Sequence, residues 1–366
     1  MRYASIDLLR TLAIGLMVLV HFLENLAGAN WTPAGFGAPL FAFLAGLSFR
    51  LWVRSQEAKG VEEGSISRIA VRRGLFLFVL GFAFNVLVWL PEDTFNWDVL
   101  TMIGTVLVFL GVGRNLPTAV LATTAGLLVV LSPFLRAQAD YLSYWPAYHF
   151  ECDWTLPDVT IGYLATGYFP LFPWAAFPVV GYLAGRAVFP DDGPPAVRPL
   201  VVAGAAFAAL TGLCRLGRWA GGAKVLTGWT MFPASPEYVC GALAFALLSF
   251  SALHMWIDRR NGLSRWPGVL GMAGTMSRHS LSLYLFHHVA HLWPLWVYGA
   301  VAADEPTAFW RQAMPLWVAL ALVPVCLVMG FVLCRGAERW KWPTVEGFMR
   351  WLCDDRRAEG RDDPVQ

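Results

Sequence analysis

Charge is what this sequence has least of. Asp, Glu, Lys and Arg make up 14% of its 366 residues, against 57% hydrophobic ones. A chain of that balance departs from the composition of a soluble domain and reads as a membrane protein. Cysteine is scarce and unpatterned. The six, at positions 152, 214, 240, 326, 334 and 353, include no CxxC pair and no metal-ligand spacing, and they imply no disulfide framework. No repeat of the whole chain is visible, whereas many secondary transporters carry one. The first apolar run lacks a small-residue cleavage site and begins with the polar Asp7 and Arg10. It is expected to be a retained span and not a signal peptide. The formal net charge of +2 says less than the distribution of the charges, and no nucleic-acid partner is expected.

Long hydrophobic runs are abundant. Ten are long enough to span a bilayer, at about 8–27, 35–53, 74–90, 99–113, 116–135, 161–185, 199–215, 237–257, 280–300 and 313–334. The expected fold class is an all-α integral membrane protein, with about ten transmembrane helices around a central substrate cavity. If the N-terminus is cytoplasmic, 22 of the 27 Lys and Arg residues fall on the inner side. The outer side keeps five: Arg136, Arg215, Arg218, Lys224 and Arg311. This asymmetry predicts that both termini are cytoplasmic. Residues 1–335 form the expected transmembrane domain, and residues 336–366 a polar, basic cytoplasmic tail. In that tail Glu346 and Arg350 are spaced to pair at i,i+4 on an amphipathic helix.

The first run, IDLLRTLAIGLMVLVHFLEN (6–25), is apolar from Arg10 to Asn25 except for Thr11, His21 and Glu24. Arg10 and His21 are eleven residues apart, three turns plus about 20°, so they share one helix face roughly 16 Å apart along the axis. Asp7 and Glu24 fall within about 60° of the same line. Lipid would not tolerate such a face, so it must look into protein or a wet cavity.

Further polar positions punctuate the other spans. Ala38, Ala42 and Gly46 recur at four-residue spacing, a pattern that lets membrane helices approach closely; ordinary packing is the plainer reading, and for a close contact the neighbouring first helix is the expected partner. The segment Arg50–Arg73 holds six basic residues. It suits either anionic headgroups or the phosphates of an acyl carrier, for which a planar guanidinium fork is well shaped. Asn85 is a lone polar residue in the third span. Asp98 stands where it would cap the fourth helix or line an outer vestibule. The outer segment Arg136–Asp158 combines Tyr141, Tyr144, Trp145, Tyr148 and Trp154 with four acids and His149, a set suited to a sugar platform or to an interfacial aromatic belt. Pro170, Pro173 and Pro178 must kink or break the sixth span, and broken membrane helices persist where they line cavities. In the ninth span Tyr284, His287, His288 and His291 are set one turn apart in pairs. That spacing can bind a metal, but no carboxylate or cysteine completes a site. A buried polar cluster beside the reaction cavity is expected instead, with no metal. Asn30-Trp31-Thr32 is a formal glycosylation sequon that hugs the membrane.

Arg10, ten residues, then His21 in the first span of a many-span chain resembles the acyltransferase family 3 membrane enzymes. Flanking text is similar to the relatives named for heparan-α-glucosaminide N-acetyltransferase: SIDLLRTLAIGLMV in the first span, APLFAFLAGLSF in the second, then DVLTMIG (98–104), YFPLFPW (168–174), FPASPEYV (232–239), SLSLYLFH (280–287) and PTVEGFMRWL near the end. The resemblance runs from residue 5 to about 352. In the heparan-α-glucosaminide relatives the loop after the first span carries a histidine held to be catalytic. Here that loop, AGANWTPAGFGAP, has none, and His21 fits the acyltransferase family 3 position instead.

The resemblance implies an acyltransferase, expected in a bacterial inner membrane. It would move acetyl or another short acyl group from cytoplasmic acetyl-CoA or another acyl-CoA to an extracytoplasmic sugar-like acceptor. His21 is the expected general base or transient acyl carrier, with Glu24 one turn on to hold the imidazole. Arg10, Arg72 and Arg73 are the expected donor-binding residues, and Asp98, Tyr284 and His287 the expected cavity residues. Membrane lipid is an expected partner, and the oligomeric state is left open. The rival readings are a proton-coupled transporter that uses the histidines as a relay and a scaffold whose histidines only pack.

Overall fold

The computed structural model describes residues 2–31, 35–146, 149–190, 196–219 and 228–354. Helices carry these residues, and only an isolated bridge between Met231 and Ala234 pairs in the manner of a sheet. In order they are α1 (Ala4–Ala27), α2 (Gly37–Glu57), α3 (Glu63–Val88), α4 (Val99–Gly113), α5 (Thr118–Gln138), α6 (Leu156–Ile161), α7 (Leu171–Trp174), α8 (Ala176–Val188), α9 (Arg198–Trp219), α10 (Pro236–Leu253), α11 (Pro267–Arg278), α12 (Ser280–Ala303), α13 (Leu316–Trp340) and α14 (Val345–Cys353). Eight segments among the described residues are long and apolar enough to cross a membrane. The protein is an all-α, multi-pass integral membrane protein. Helices α2 and α12 have comparable lengths but carry more polar side chains. The predicted loop Arg50–Arg73 proves to be mostly helix, the end of α2 and the start of α3, with a turn of only a few residues between them.

Helix α1 is the axis of the assembly. It touches α2, α10, α11, α12 and α13 and ends at Gly28, whose φ of 62° lets its N–H close on the carbonyl of Glu24. The outer helices α5, α9 and α13 bury far less of their length, as expected where the surrounding solvent is hydrocarbon.

Gly46, the last residue of the small-residue stripe of α2, packs on a helix other than α1. A Cβ at Gly46 would stand 1.8 Å from the carbonyl oxygen of Pro178, and one at Gly181 would stand 1.9 Å from that of Phe43. Gly46 therefore packs against α8, not α1. Backbones this close exclude any side chain between them. Helix α2 also meets α1, at its outer end through Gly37 against Ala13, Leu16 and Met17 and farther inward through the Ser48 hydroxyl, which accepts from Arg10.

The sixth span is broken, as its prolines require. It runs as α6, a wider π turn at Gly162–Thr166, an extended stretch ending at Pro170, and then α7 and α8. The amides freed by the break are answered locally: Tyr168 N–H donates to Asn96 O at 3.1 Å and Phe169 N–H to Trp97 O at 3.0 Å. Backbone outside a helix is thereby satisfied at membrane depth.

The C-terminal segment docks onto the bundle. Glu346 accepts from Leu281 N at 2.8 Å, Ser282 N at 2.9 Å and Ser282 Oγ at 2.6 Å. It caps the first turn of α12 instead of pairing with Arg350. Arg73 forks onto Asp354 at 2.6–2.9 Å. Past the middle of α12, Trp293 and Trp296 donate to the last carbonyls of α3, Leu87 O at 2.9 Å and Val88 O at 3.0 Å. The chain beyond Asp354 lies outside the described residues.

Replacing Gly46 by Ala forces α2 and α8 apart and is expected to cost at least roughly 1–3 kcal/mol. Gly15→Ala, whose Cβ meets nothing within 4 Å, is expected to be neutral or slightly stabilising. Thermal unfolding of the two variants in detergent compares them directly.

Candidate active site

Each polar group on the α1 face is answered by a different element. Asp7 is held by Arg2 at 2.6 Å. Arg10 donates to Ser277 Oγ at 3.0 Å and Ser277 O at 3.3 Å on α11, and to the hydroxyl of Ser48 on α2. His21 Nδ1 lies 2.9 Å from His287 Nε2 on α12, their rings stacked at 11° with centroids 5.2 Å apart. The His288 ring is closer still, at 4.4 Å. Glu24 pairs with Arg311 at 2.6 Å. Its carboxylate therefore does not hold the His21 imidazole, as the one-turn spacing had suggested, because His287 has taken Nδ1 and Arg311 has taken Glu24.

Next to this pair, Asn25 Nδ2 donates to His291 Nε2 at 2.9 Å, while Trp310 Nε1 donates to Asn25 Oδ1 at 3.2 Å. His21 and the three histidines of α12 thus form one continuous group at the junction of α1 and α12. Asp98 does two jobs at once. Oδ1 accepts from Leu100 N at 2.8 Å and caps α4, and Oδ2 accepts from the Tyr284 hydroxyl at 2.5 Å. That bond ties α4 to α12.

These groups border a cavity of about 670 Å³. Met17, His21, Asp98, Tyr284 and His288 line it, as do Glu24, Trp89, Trp229, Trp310 and Arg311. His287 touches His21 but does not itself reach the cavity wall. Asn85 contributes to the wall and donates to Thr94 O at 3.0 Å. Of the aromatic outer segment, Trp145 and His149 reach the cavity. Tyr144 is turned away to Asp158 at 2.6 Å, and the carboxylate there pushes its hydroxyl up to about 12. Trp154 packs on Phe95. Tyr148 and Thr32 of the sequon lie outside the described residues. Cys152 is pushed up to about 11, chiefly by burial and then by Asp158 and Asp153, which makes it a poor nucleophile at neutral pH.

Arg72 and Arg73 stand elsewhere, at the opposite end of α3 from the cavity. Arg73 is engaged by Asp354 and stacks over Trp52 at 4.8 Å, and Arg72 donates to Cys353 O at 3.5 Å. Sequence reasoning missed Asn25, Trp310 and Arg311. The available signal was that Arg311 is one of very few basic residues predicted on the outer side.

His21, His287 and His288 each offer a ring nitrogen within 4.8 Å of the others and could hold a metal ion. However, two nitrogens on one tetrahedral zinc stand about 3.3 Å apart at ordinary zinc–nitrogen distances. The 2.9 Å between His21 and His287 is a hydrogen bond, and a metal would have to open it.

Residues 2–220 match the family described as heparan-alpha-glucosaminide N-acetyltransferase, catalytic. The chain belongs to that family. It is accordingly a membrane acetyltransferase, which favours acyl transfer over transport. No curated protein sequence matches the chain. The heparan-alpha-glucosaminide N-acetyltransferase match covers α1 through α9, and so includes Arg10, His21, Glu24, Arg72, Arg73 and Asp98. Tyr284 and the α12 histidines lie beyond it, joined to the matched part by the bonds described above.

Asp98→Ala is expected to cost roughly 1–2 kcal/mol for the lost cap and about 1–3 kcal/mol for the stranded Tyr284 hydroxyl. Asp98→Asn, whose one amide oxygen can keep the cap while its NH2 donates to the Tyr284 hydroxyl oxygen, should recover the capping share and part of the rest. Thermal unfolding of both in detergent is the check.

Proposed function

We propose that this acetyltransferase moves an acetyl or other short acyl group from cytoplasmic acyl-CoA to an extracytoplasmic sugar-like acceptor, in the inner membrane of a bacterium. The observation that carries the reading is the position of His21. It borders a cavity at the end of α1 predicted to face outward, with Arg10 three turns inward on the same helix face.

The donor supplies an activated acyl group as a thioester. The chemistry left to the protein is to bring an acceptor hydroxyl or amine to it and to manage one proton. The acyl–sulfur bond breaks, an acyl–oxygen or acyl–nitrogen bond forms, and the acceptor's proton ends on the CoA thiol. His21 takes that proton as base, or carries the acyl group transiently. Either role needs a neutral imidazole at the cavity wall. Trp145, Trp229 and Trp310 give the cavity the flat apolar faces on which sugar rings stack, while Glu24 and Arg311 offer charged partners to hydroxyls. Arg10 orients the donor from the inner side. Arg72 and Arg73 belong to the same predicted cytoplasmic face. The fork by which Arg73 holds Asp354 is the geometry a phosphate would use, so donor binding there displaces that carboxylate.

The test is release of free thiol from acetyl-CoA by detergent-purified protein with a panel of amino sugars. His21→Ala is expected to lose roughly 10²–10⁴-fold in turnover while still binding CoA, and Arg10→Ala to raise the KM for acetyl-CoA. Unchanged turnover in His21→Ala overturns the assigned role. In proteoliposomes loaded with labelled acetyl-CoA, label should appear on an acceptor supplied outside, and label confined to the lumen overturns the direction.

A further inference from the structure

The ring protons at the cavity wall are assigned by what each nitrogen faces. His287 Nδ1 lies 3.1 Å from the carbonyl oxygen of Leu283. A carbonyl oxygen only accepts, so His287 Nδ1 carries a proton, and in the neutral ring Nε2 is left with a lone pair. That Nε2 faces His21 Nδ1 at 2.9 Å. One proton lies between the two nitrogens, and it must be on His21. Nδ1 of His21 is therefore the protonated nitrogen, and Nε2 is a bare lone pair. His21 lines the cavity, and its Nε2 has no hydrogen-bond partner among the described residues.

We propose that His287 is the positioning residue that sets the tautomer of His21, through the chain Leu283 carbonyl, His287, His21, and so presents an unprotonated Nε2 to the acceptor. The inference rests on the reading of His21 as the acting imidazole. It gives a role to a buried residue that touches no substrate. An isolated histidine side chain favours the opposite tautomer, with the proton on Nε2, which cannot accept another. The partner of one ring nitrogen decides the state of the other, and here that partner is a second histidine where other sites use a carboxylate. When His21 Nε2 takes the acceptor proton, the Nδ1–H bond to His287 becomes charge-assisted and strengthens. The proton goes no further. The His287 Nδ1–H points at a carbonyl that cannot be protonated, so the chain is a dead end and returns the proton to the leaving thiolate. A conducting relay, as a transporter would need, requires a titratable group at that position.

The experiment is nitrogen-15 NMR of the full-length protein, histidine-labelled and held in lipid nanodiscs, with the His21 signals identified by their loss in His21→Asn. It is read alongside acetyl-CoA turnover. In wild type, Nδ1 of His21 should be the protonated nitrogen. In His287→Ala the proton should move largely to Nε2, and kcat should fall by roughly 10²-fold or more with the KM for both substrates little changed. In His287→Gln, whose amide oxygen can still accept from Nδ1, the wild-type tautomer should persist and kcat should return to within about tenfold. A wild-type His21 protonated on Nε2, or a tautomer and kcat unmoved by His287→Ala, overturns the inference and leaves the proposed function standing. Full turnover in His21→Ala would instead overturn the proposed function. The NMR assignment does not depend on activity, so the two failures are distinguishable, and His287→Gln separates loss of the acceptor from loss of packing.

Discussion

A helix that carries arginine, histidine and carboxylate on one face cannot show that face to hydrocarbon, and the arrangement of this protein follows from meeting that demand on α1. Polar groups inside a membrane must find partners within the protein, and here the partners come from several directions: Arg2 for Asp7, the serines of α2 and α11 for Arg10, α12 for His21, and the segment before α13 for Glu24 and Asn25. Burying α1 at the centre satisfies all of them at once. It also brings the first and ninth predicted spans into contact across some 266 positions of sequence.

Much of the fold is legible from hydropathy alone, because a bilayer permits few solutions. A segment either spans as a helix or is excluded, and the runs at 99–113 and 199–215 coincide closely with α4 and α9. The broken sixth span follows from proline chemistry, and the capping role of Asp98 from its place before an apolar run. What periodicity does not carry is which neighbour a face meets. The small residues of α2 say that something comes close but not what comes close, and the answer is α8, whose own Gly181 completes the crossing. Glu346 and Arg350 have the spacing of a helical ion pair, yet the free amides at the start of α12 compete better for the carboxylate.

The candidate site divides along the same line. The stripe on α1 is visible from sequence because it lies within one helix. The contact between His21 and His287 is not visible, because it depends on the rotation and depth of two helices far apart in the chain. Glu24 shows the hazard. One turn from His21, it looks like that residue's partner, but a long-range guanidinium outcompetes a neighbour whose geometry is merely permitted. Arg72 and Arg73 are drawn instead to the C-terminal segment, whose docking no local pattern announces.

Helix α12 is fastened on either side of its histidines, at its start by Glu346 and past its middle by the indoles of Trp293 and Trp296 to α3. A spanning helix usually answers a bilayer of the wrong thickness by tilting or sliding. Held at these two points, and to α1 by the His21–His287 and Asn25–His291 contacts, α12 cannot slide on its own, and its histidines keep their depth relative to α1. Hydrophobic mismatch must then be absorbed by the loosely packed outer helices α5, α9 and α13. Lipid composition can distort the rim of the molecule while leaving the spacing between His21 and His287 untouched.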